Sequence, residues 1–511
     1  MSCSYMNRRE FVGLTTASIT GGVLGFARSS FGQSQVKEWD PDHPFIVTGQ
    51  ELKVQPILMY RTAKKRPATS WKSWGGVQTE QAASEEAKRI SKELSSLSAK
   101  AGFPVQILPI VKIKSAEQAS QVHKNDYDVV IVYPATGSGD MLRACFARKK
   151  NKDTIIFVRH SSGPIYYWYE ALSVKYLKTG ERESEQNSRL DHGGVYIHDV
   201  VVDDYEGLLW RLRALYGIKN FIGARIVALG GAWGKYSPEA PSIARKKYGI
   251  EIIEVGYDDA APRIKSARTD TKLMSKAEKW TQKYLSAPNT TLHTDRKYVT
   301  NAFLLYHVFK DLMREYDAPA FTIRACMTTI LPIAETTPCL TLSLLNDEGR
   351  LAFCESDFVV IPAGILLHYI SGKPVFLHNS TFPHKAIATC AHCSAPRRMD
   401  GVNYEPAKIM THYESEYGAA PKVEIPKGQK VTFIDPEYSS GRWVGFTGIV
   451  RGNPSYEICR SQQDVEIQGD WRKLLKEARD SHWMMAYGDY LKEVGYASRK
   501  IGIKWVDISE T

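Results

Sequence analysis

The 511-residue chain is short of the features that announce whole classes of protein. Its eight cysteines, at 3, 145, 326, 339, 354, 390, 393 and 459, are too sparse and too scattered for a disulfide framework. The close pair C-A-H-C at 390–393 has no second pair to complete a zinc module. No internal repeat or low-complexity tract stands out. Two glycine-containing loops, TGSGD (136–140) and GGAWG (230–234), fit neither GxGxxG nor the P-loop, so tight strand-to-helix turns are favoured over nucleotide binding. Sugar or substrate contact from them stays open. No nucleic-acid motif is present, and the basic runs RTAKKR (61–66) and ARKKNK (147–152) read as solvated surface. No apolar segment is long and strong enough to give the mature chain a stable membrane span.

What is present begins with the leader. NRREFVG (7–13) runs into a mildly apolar stretch, VGLTTASITGGVLGFA (12–27). Adjacent Arg8 and Arg9 followed by Phe11 look like a twin-arginine signal, placing residues 1–33 in a signal peptide. The expected location is then periplasmic or otherwise extracytoplasmic. The pathway exports folded proteins, which suits a chain that acquires a metal or cofactor first. The net charge of +11 is spread along the chain and is compatible with an anionic surface or substrate.

Length alone implies two or three domains. SEEAKRISKELSSLSAKAG (84–102) has the period of an amphipathic helix ending at Gly102. FPVQILPIVKI (103–113) follows as a strand, and YDVVIVYPA (127–135) reads as a strand buried on both faces of a parallel sheet. An N-terminal α/β domain is expected over 34–215. ARIVALGGAWGKY (224–236), EIIEVGYDD (251–259) and a helix over 299–316 make a second α/β domain over 216–325. From 326 to 511 the texture becomes β-rich, with a strand–PKGQ–strand hairpin expected over 422–435.

The chemistry candidates lie mostly in that last region. In LAFCESDF (351–358), Glu355 reads either as a salt-bridged carboxylate or as a ligand, since a buried carboxylate needs a partner. Asp357 reads as the N-cap of a helix starting near Phe358. His482 is a satisfied core histidine or a ligand. His392 sits in C-A-H-C. His412 and Glu414, two residues apart, would share a strand face and suit either substrate contact or plain surface. Arg324 and Glu335 lie near the domain junction.

Taken in order, these segments resemble the L-fucose/L-arabinose isomerase-like superfamily. PCLTLSLLNDEGRLAFCESD (338–357) is similar to its C-terminal-domain motif, and LLHYISGKPVFLHN (366–379) occupies the place of its helix and following strand. AHCSAP (391–396), HYESEYG (412–418) and SHWMMAYGDY (481–490) resemble later motifs, and TIRACM (322–327) the strand before them. The resemblance implies two Rossmann- or flavodoxin-like α/β domains followed by a β-rich domain of the isomerase type. It implies a divalent metal, manganese by preference, on Glu355 and His482, with His392 as a further ligand. It implies a small-molecule sugar substrate, aldose–ketose interconversion through an enediol with Glu355 as base, and a homo-oligomer; His412 and Arg324, by their own positions, are the candidate substrate contacts. The family's second acidic ligand falls on Asn379, whose amide can ligate but brings no charge and no basicity. His378 beside it should face the other way. The alternative is an exported carbohydrate-binding protein that has lost the isomerase chemistry.

Overall fold

The computed structural model describes residues 38–147, 149, 151–163, 165–173, 195–437, 441–478 and 480–509. The expected signal peptide, 1–33, lies outside them. Among the described residues, no helix is long and apolar enough to cross a membrane.

The first sheet forms from short β-branched runs that are buried on both faces. It contains β1 (Leu52–Met59), β2 (Val105–Ile107), β3 (Val111–Ile113), β4 (Val129–Pro134), β5 (Asp153–Val158) and β6 (Val200–Val202). Every pairing in it is parallel. β2 and β3 lie end to end on one edge of β1, and β4, β5 and β6 follow on the other. The strand expected over 103–113 is therefore two, broken at Pro109, which has no N–H to give a ladder. The helix Glu80–Ala99 starts one turn earlier than its periodicity suggests, because the Thr79 side chain caps it by accepting from Ala82 N–H.

A second parallel sheet holds β7 (Arg225–Leu229), β8 (Glu251–Val255), β10 (Ala320–Ile323) and β11 (Leu351–Phe353), in the order β11-β10-β7-β8. The chain leaves β7 for β8 on one side. It then returns through the helix Arg296–Glu315 to β10 on the other. The strand order thus reverses between β7 and β10, and open α/β sheets form a crevice beyond the carboxyl ends of such strands. β11 lies past residue 325 yet completes this sheet.

The remaining strands build a β-rich region. β12 (Phe376–Ser380), β13 (Ile387–His392), β16 (Lys430–Glu437), β17 (Arg442–Gly452), β18 (Ser461–Gln468) and β19 (His482–Tyr487) are antiparallel, in the order β16-β19-β12-β13-β18-β17. A further β16–β17 pairing closes them into a six-stranded barrel, with β20 (Lys504–Asp507) added in parallel to β17. Its interior is aromatic: Phe433 stacks on Phe446 at 4.6 Å, and Trp483 meets Phe446 edge-on at 5.5 Å. A small third sheet joins β9 (Thr290–His293), β14 (Ala407–Met410) and β15 (Ala420–Val423).

The hairpin expected across PKGQ is not one. β15 pairs with β14, whereas β16 pairs with β17 and β19, so the turn carries the chain from one sheet to another. The local pattern could not reveal which neighbour each strand would choose.

The helix Ile361–Ser371 is buried on every side and links the layers. It packs on the helix Tyr205–Phe221 so closely that a Cβ on Gly217 would stand 2.5 Å from Ile370 Cγ1.

Candidate metal centre

Three loops leave the carboxyl edge of the second sheet at its reversal point. Gly230–Lys235 follows β7, Arg324 follows β10, and Cys354–Glu355 follows β11. Each begins where a parallel strand ends, so their side chains converge over one crevice. The barrel supplies the opposite wall, with His482 at the start of β19 and His392 at the end of β13.

Glu355, His392 and His482 form a group that can hold a metal ion, their donor atoms all within 4.8 Å of one another. His392 Nε2 is 3.5 Å from Glu355 Oε1, and His482 Nε2 is 3.6 Å from Glu355 Oε2. Donors around an ion at about 2.1 Å lie roughly 3–3.5 Å apart, so the set is near the spacing a cation needs. Both imidazoles are buried.

The other ring nitrogens are also engaged. His482 Nδ1 lies 2.7 Å from Asp357 Oδ2, with both side chains wholly buried. Donation from Nδ1 to that carboxylate leaves Nε2 with its lone pair turned toward Glu355, the carboxylate–histidine arrangement that orients metal ligands. His392 Nδ1 is 3.1 Å from Ser394 Oγ.

Asp357 is thus not the N-cap expected of it. The helix begins at Ile361 with Val360 as its cap. Asp357 Oδ1 accepts from Lys235 N–H at 3.0 Å and from Val359 N–H at 3.1 Å, while Oδ2 takes the imidazole. One carboxylate therefore ties the β7 loop, the β11 loop and β19 together.

Glu355 and the following Ser356 have left-handed backbones, φ 62° and 54°. Neither is glycine, and each such residue costs on the order of 1–3 kcal/mol, so surrounding contacts must hold them. They are visible: Trp233 Nε1–H donates to the Glu355 carbonyl, Trp233 N–H to the Ser356 carbonyl, and Phe358 N–H to the Trp233 carbonyl. Burial alone would push the Glu355 carboxyl up. Where the two rings are protonated, the hydrogen bond and charge of His392, with the charges of His482 and Lys235, more than offset it and hold the group at about 2.

Lys235 completes the cluster, its Nζ 3.3 Å from His482 Nε2 and 3.7 Å from Glu355 Oε2. The sequence reading missed it. The only available signal was the GGAWGK loop at a strand end, read as a tight turn with sugar or substrate contact left open and its lysine not singled out.

The remaining candidates divide. Asn379 sits directly opposite His482 across β12–β19 and shares its face, which puts their Cβ atoms about 5 Å apart. His378 turns into the barrel against Phe433 and Trp483, as alternation requires. Arg324 lies with its guanidinium 5.2 Å from the Trp233 ring centre, and so borders the centre through that indole. His412 and Glu414 do not share a strand face: residues 413–415 form a turn, with His412 buried and Glu414 exposed. Glu335 pairs with Arg268.

The flanking thiols stay out of the ligand set. Cys354, 3.8 Å from Cys326, is held protonated by that thiol's hydrogen bond and by burial. Cys393 is raised by its bond to Cys339 and by burial, against the opposing bond to Cys459. The donors left are one carboxylate and two imidazoles, a set suited to manganese-, iron- or zinc-like ions.

No protein-family model matches the sequence, and no curated protein matches it. Among solved structures, a conserved domain protein from Vibrio cholerae O1 biovar El Tor is similar at 13% identity over 54% of this chain and 75% of that one, with a TM-score of 0.16. A ligand-free, open substrate-binding protein with adhesive properties from Clostridium difficile is similar at 12% identity over 60% of this chain and 90% of that one, with a TM-score of 0.15. Likeness this slight bears on neither the fold nor the site.

Proposed function

We propose that this chain is a metal-dependent sugar isomerase of the fucose/arabinose isomerase type, exported by the twin-arginine route and acting on a small aldose or ketose in the periplasm. One observation carries the reading. Glu355, His392 and His482, which the sequence resemblance singles out as ligands, meet with their donor atoms within 4.8 Å at the carboxyl edge of a doubly wound sheet.

Glu355, His392 and His482 would hold a divalent cation, manganese by preference, and Asn379 beside His482 can add its amide oxygen. When bound, the cation supplies Lewis acidity to the sugar's carbonyl and neighbouring hydroxyl oxygens. The chain's own residues do the rest. Asp357 fixes the His482 ring by its 2.7 Å contact, and Trp233 fixes the Glu355 backbone. The ionised Glu355 carboxylate takes the proton from one carbon and returns it to the next, through an enediol. Arg324, stacked on Trp233 beyond β10, and His412 are the residues proposed to contact the sugar's far hydroxyls.

Elemental mass spectrometry of the purified mature protein tests the centre, with Glu355→Ala as control. About one manganese, iron or zinc per chain, lost in the control, is the expected result. No metal after incubation with manganese would sink the isomerase reading. It would leave the carbohydrate-binding alternative, which the neutral Asn379 favours. Asn379→Asp then separates a decayed enzyme, which gains isomerase activity, from a repurposed one, which loses its own.

A further inference from the structure

We propose that Lys235 is a catalytic residue of this centre, its ammonium stabilising the oxygen that becomes negative as the sugar's carbon loses its proton. The role rests on the isomerase reading above.

The case is geometric. Lys235 Nζ stands 3.3 Å from His482 Nε2 and 3.7 Å from Glu355 Oε2, among the donor atoms rather than on the rim. It is placed there by the same wiring that holds the Glu355 turn and the His482 ring. The Lys235 backbone N–H binds Asp357 Oδ1, and Trp233 exchanges backbone bonds with Ser356 and Phe358 on the β11 loop. The same Asp357 orients His482, so lysine, base and imidazole are set by one framework.

Charge points the same way. With Asn379 in place of an acid, Glu355 is the one anionic side chain in the ligand group, and Lys235 faces it. A divalent cation there would leave the centre with surplus positive charge. Such a site favours a species that gains negative charge over the neutral sugar, which is what acceleration requires. The step balances within the substrate and Glu355. The carboxylate takes the C2 proton, the C–H electron pair forms C1=C2, and the carbonyl electrons move onto O1 against Lys235. The O2 proton then passes to O1, the O2 electrons form C2=O, and Glu355 returns its proton to C1.

The test is calorimetric titration of the manganese-loaded full chain with two kinds of probe. L-arabinonohydroxamate and L-fuconohydroxamate mimic the anionic enediolate; L-arabinitol and L-fucitol are neutral counterparts. Lys235→Met is expected to lose about 100-fold in hydroxamate affinity while alditol affinity moves less than about threefold. Its affinity for manganese alone should hold or rise, because a like charge has gone. Lys235→Gln serves if the methionine variant does not fold. Equal losses for both probes, or no loss for either, overturn the lysine's role, as does a native chain that takes up manganese but binds no hydroxamate. A native chain that takes up no manganese fails at the centre itself, which distinguishes that outcome.

Discussion

The two parallel sheets reverse their strand order in the same way, and each has a glycine-containing loop at its carboxyl edge, yet among the described residues only one edge carries a group that can hold a metal ion. The first is stoppered by its own chain. Thr136 Oγ1, beyond β4, accepts from Arg61 N–H at 2.8 Å and donates to the Val77 carbonyl at 2.9 Å. Gly76 N–H reaches the Ser162 carbonyl at 2.8 Å, and a Cβ on Gly75 would stand 2.2 Å from the Ala135 carbonyl oxygen. Backbone fills the crevice that doubly wound topology leaves. At the second sheet the crevice is covered by barrel side chains, His392 and His482, aimed at Glu355. Topology makes the hollow in both places; what lies across it decides whether it is a core or a centre.

The contrast breaks most severely at His482. His482→Ala should abolish manganese uptake, read by elemental analysis. It should also leave the Asp357 carboxylate buried without its ring partner, a loss of about 3–5 kcal/mol in urea unfolding. Acid sharpens the contrast next. His368, in the helix behind the open edge, is held at about 4 because burial disfavours its charged form more than the Lys373 carbonyl supports it. Its folded value lies below its unfolded one of 6.5, so the unfolded chain binds the extra proton. Stability from this group is present above pH 6.5 and falls as the pH drops toward 4, by about 3 kcal/mol in all. Urea midpoints of His368→Gln should show a shallower fall over that window than the native chain. A smaller effect follows from Asp357→Asn, which keeps the shape and removes the charge that fixes the His482 tautomer. Manganese affinity should drop about 10–100-fold by calorimetry.

Much of the layout could be read from residue pattern. Continuous apolar runs such as VVIVYP marked strands buried on both faces, while the caps Thr79 and Asp295 start their helices ahead of the expected 84 and 299. Glu355, His392 and His482 were singled out by the resemblance, each in its own motif, and the structure brings the three together. The partners were not. Lys235 and Glu355 are 120 residues apart and meet only because β7 and β11 share a sheet. Asp357 precedes a helix and looked like a cap, and nothing local distinguishes a capping carboxylate from one that bonds an imidazole 125 residues away. The PKGQ turn failed for the same reason: a turn can be read locally, a strand's partner cannot.

Thr136→Val tests the stopper itself. Valine matches threonine in shape, so the wholly buried site keeps its volume and loses only the hydroxyl. Arg61 N–H loses its acceptor and the Val77 carbonyl loses its donor, which should cost about 1–3 kcal/mol in urea unfolding. The cost should fall locally, on the 61–79 segment, so trypsin should cut faster at the exposed basic residues Arg61, Lys64 and Lys65. Manganese uptake should not change, since the ligand group lies at the other sheet's edge and none forms at this one among the described residues. Loss of metal binding in this variant would mean that the two edges act together, and would remove the distinction between a filled hollow and a working one.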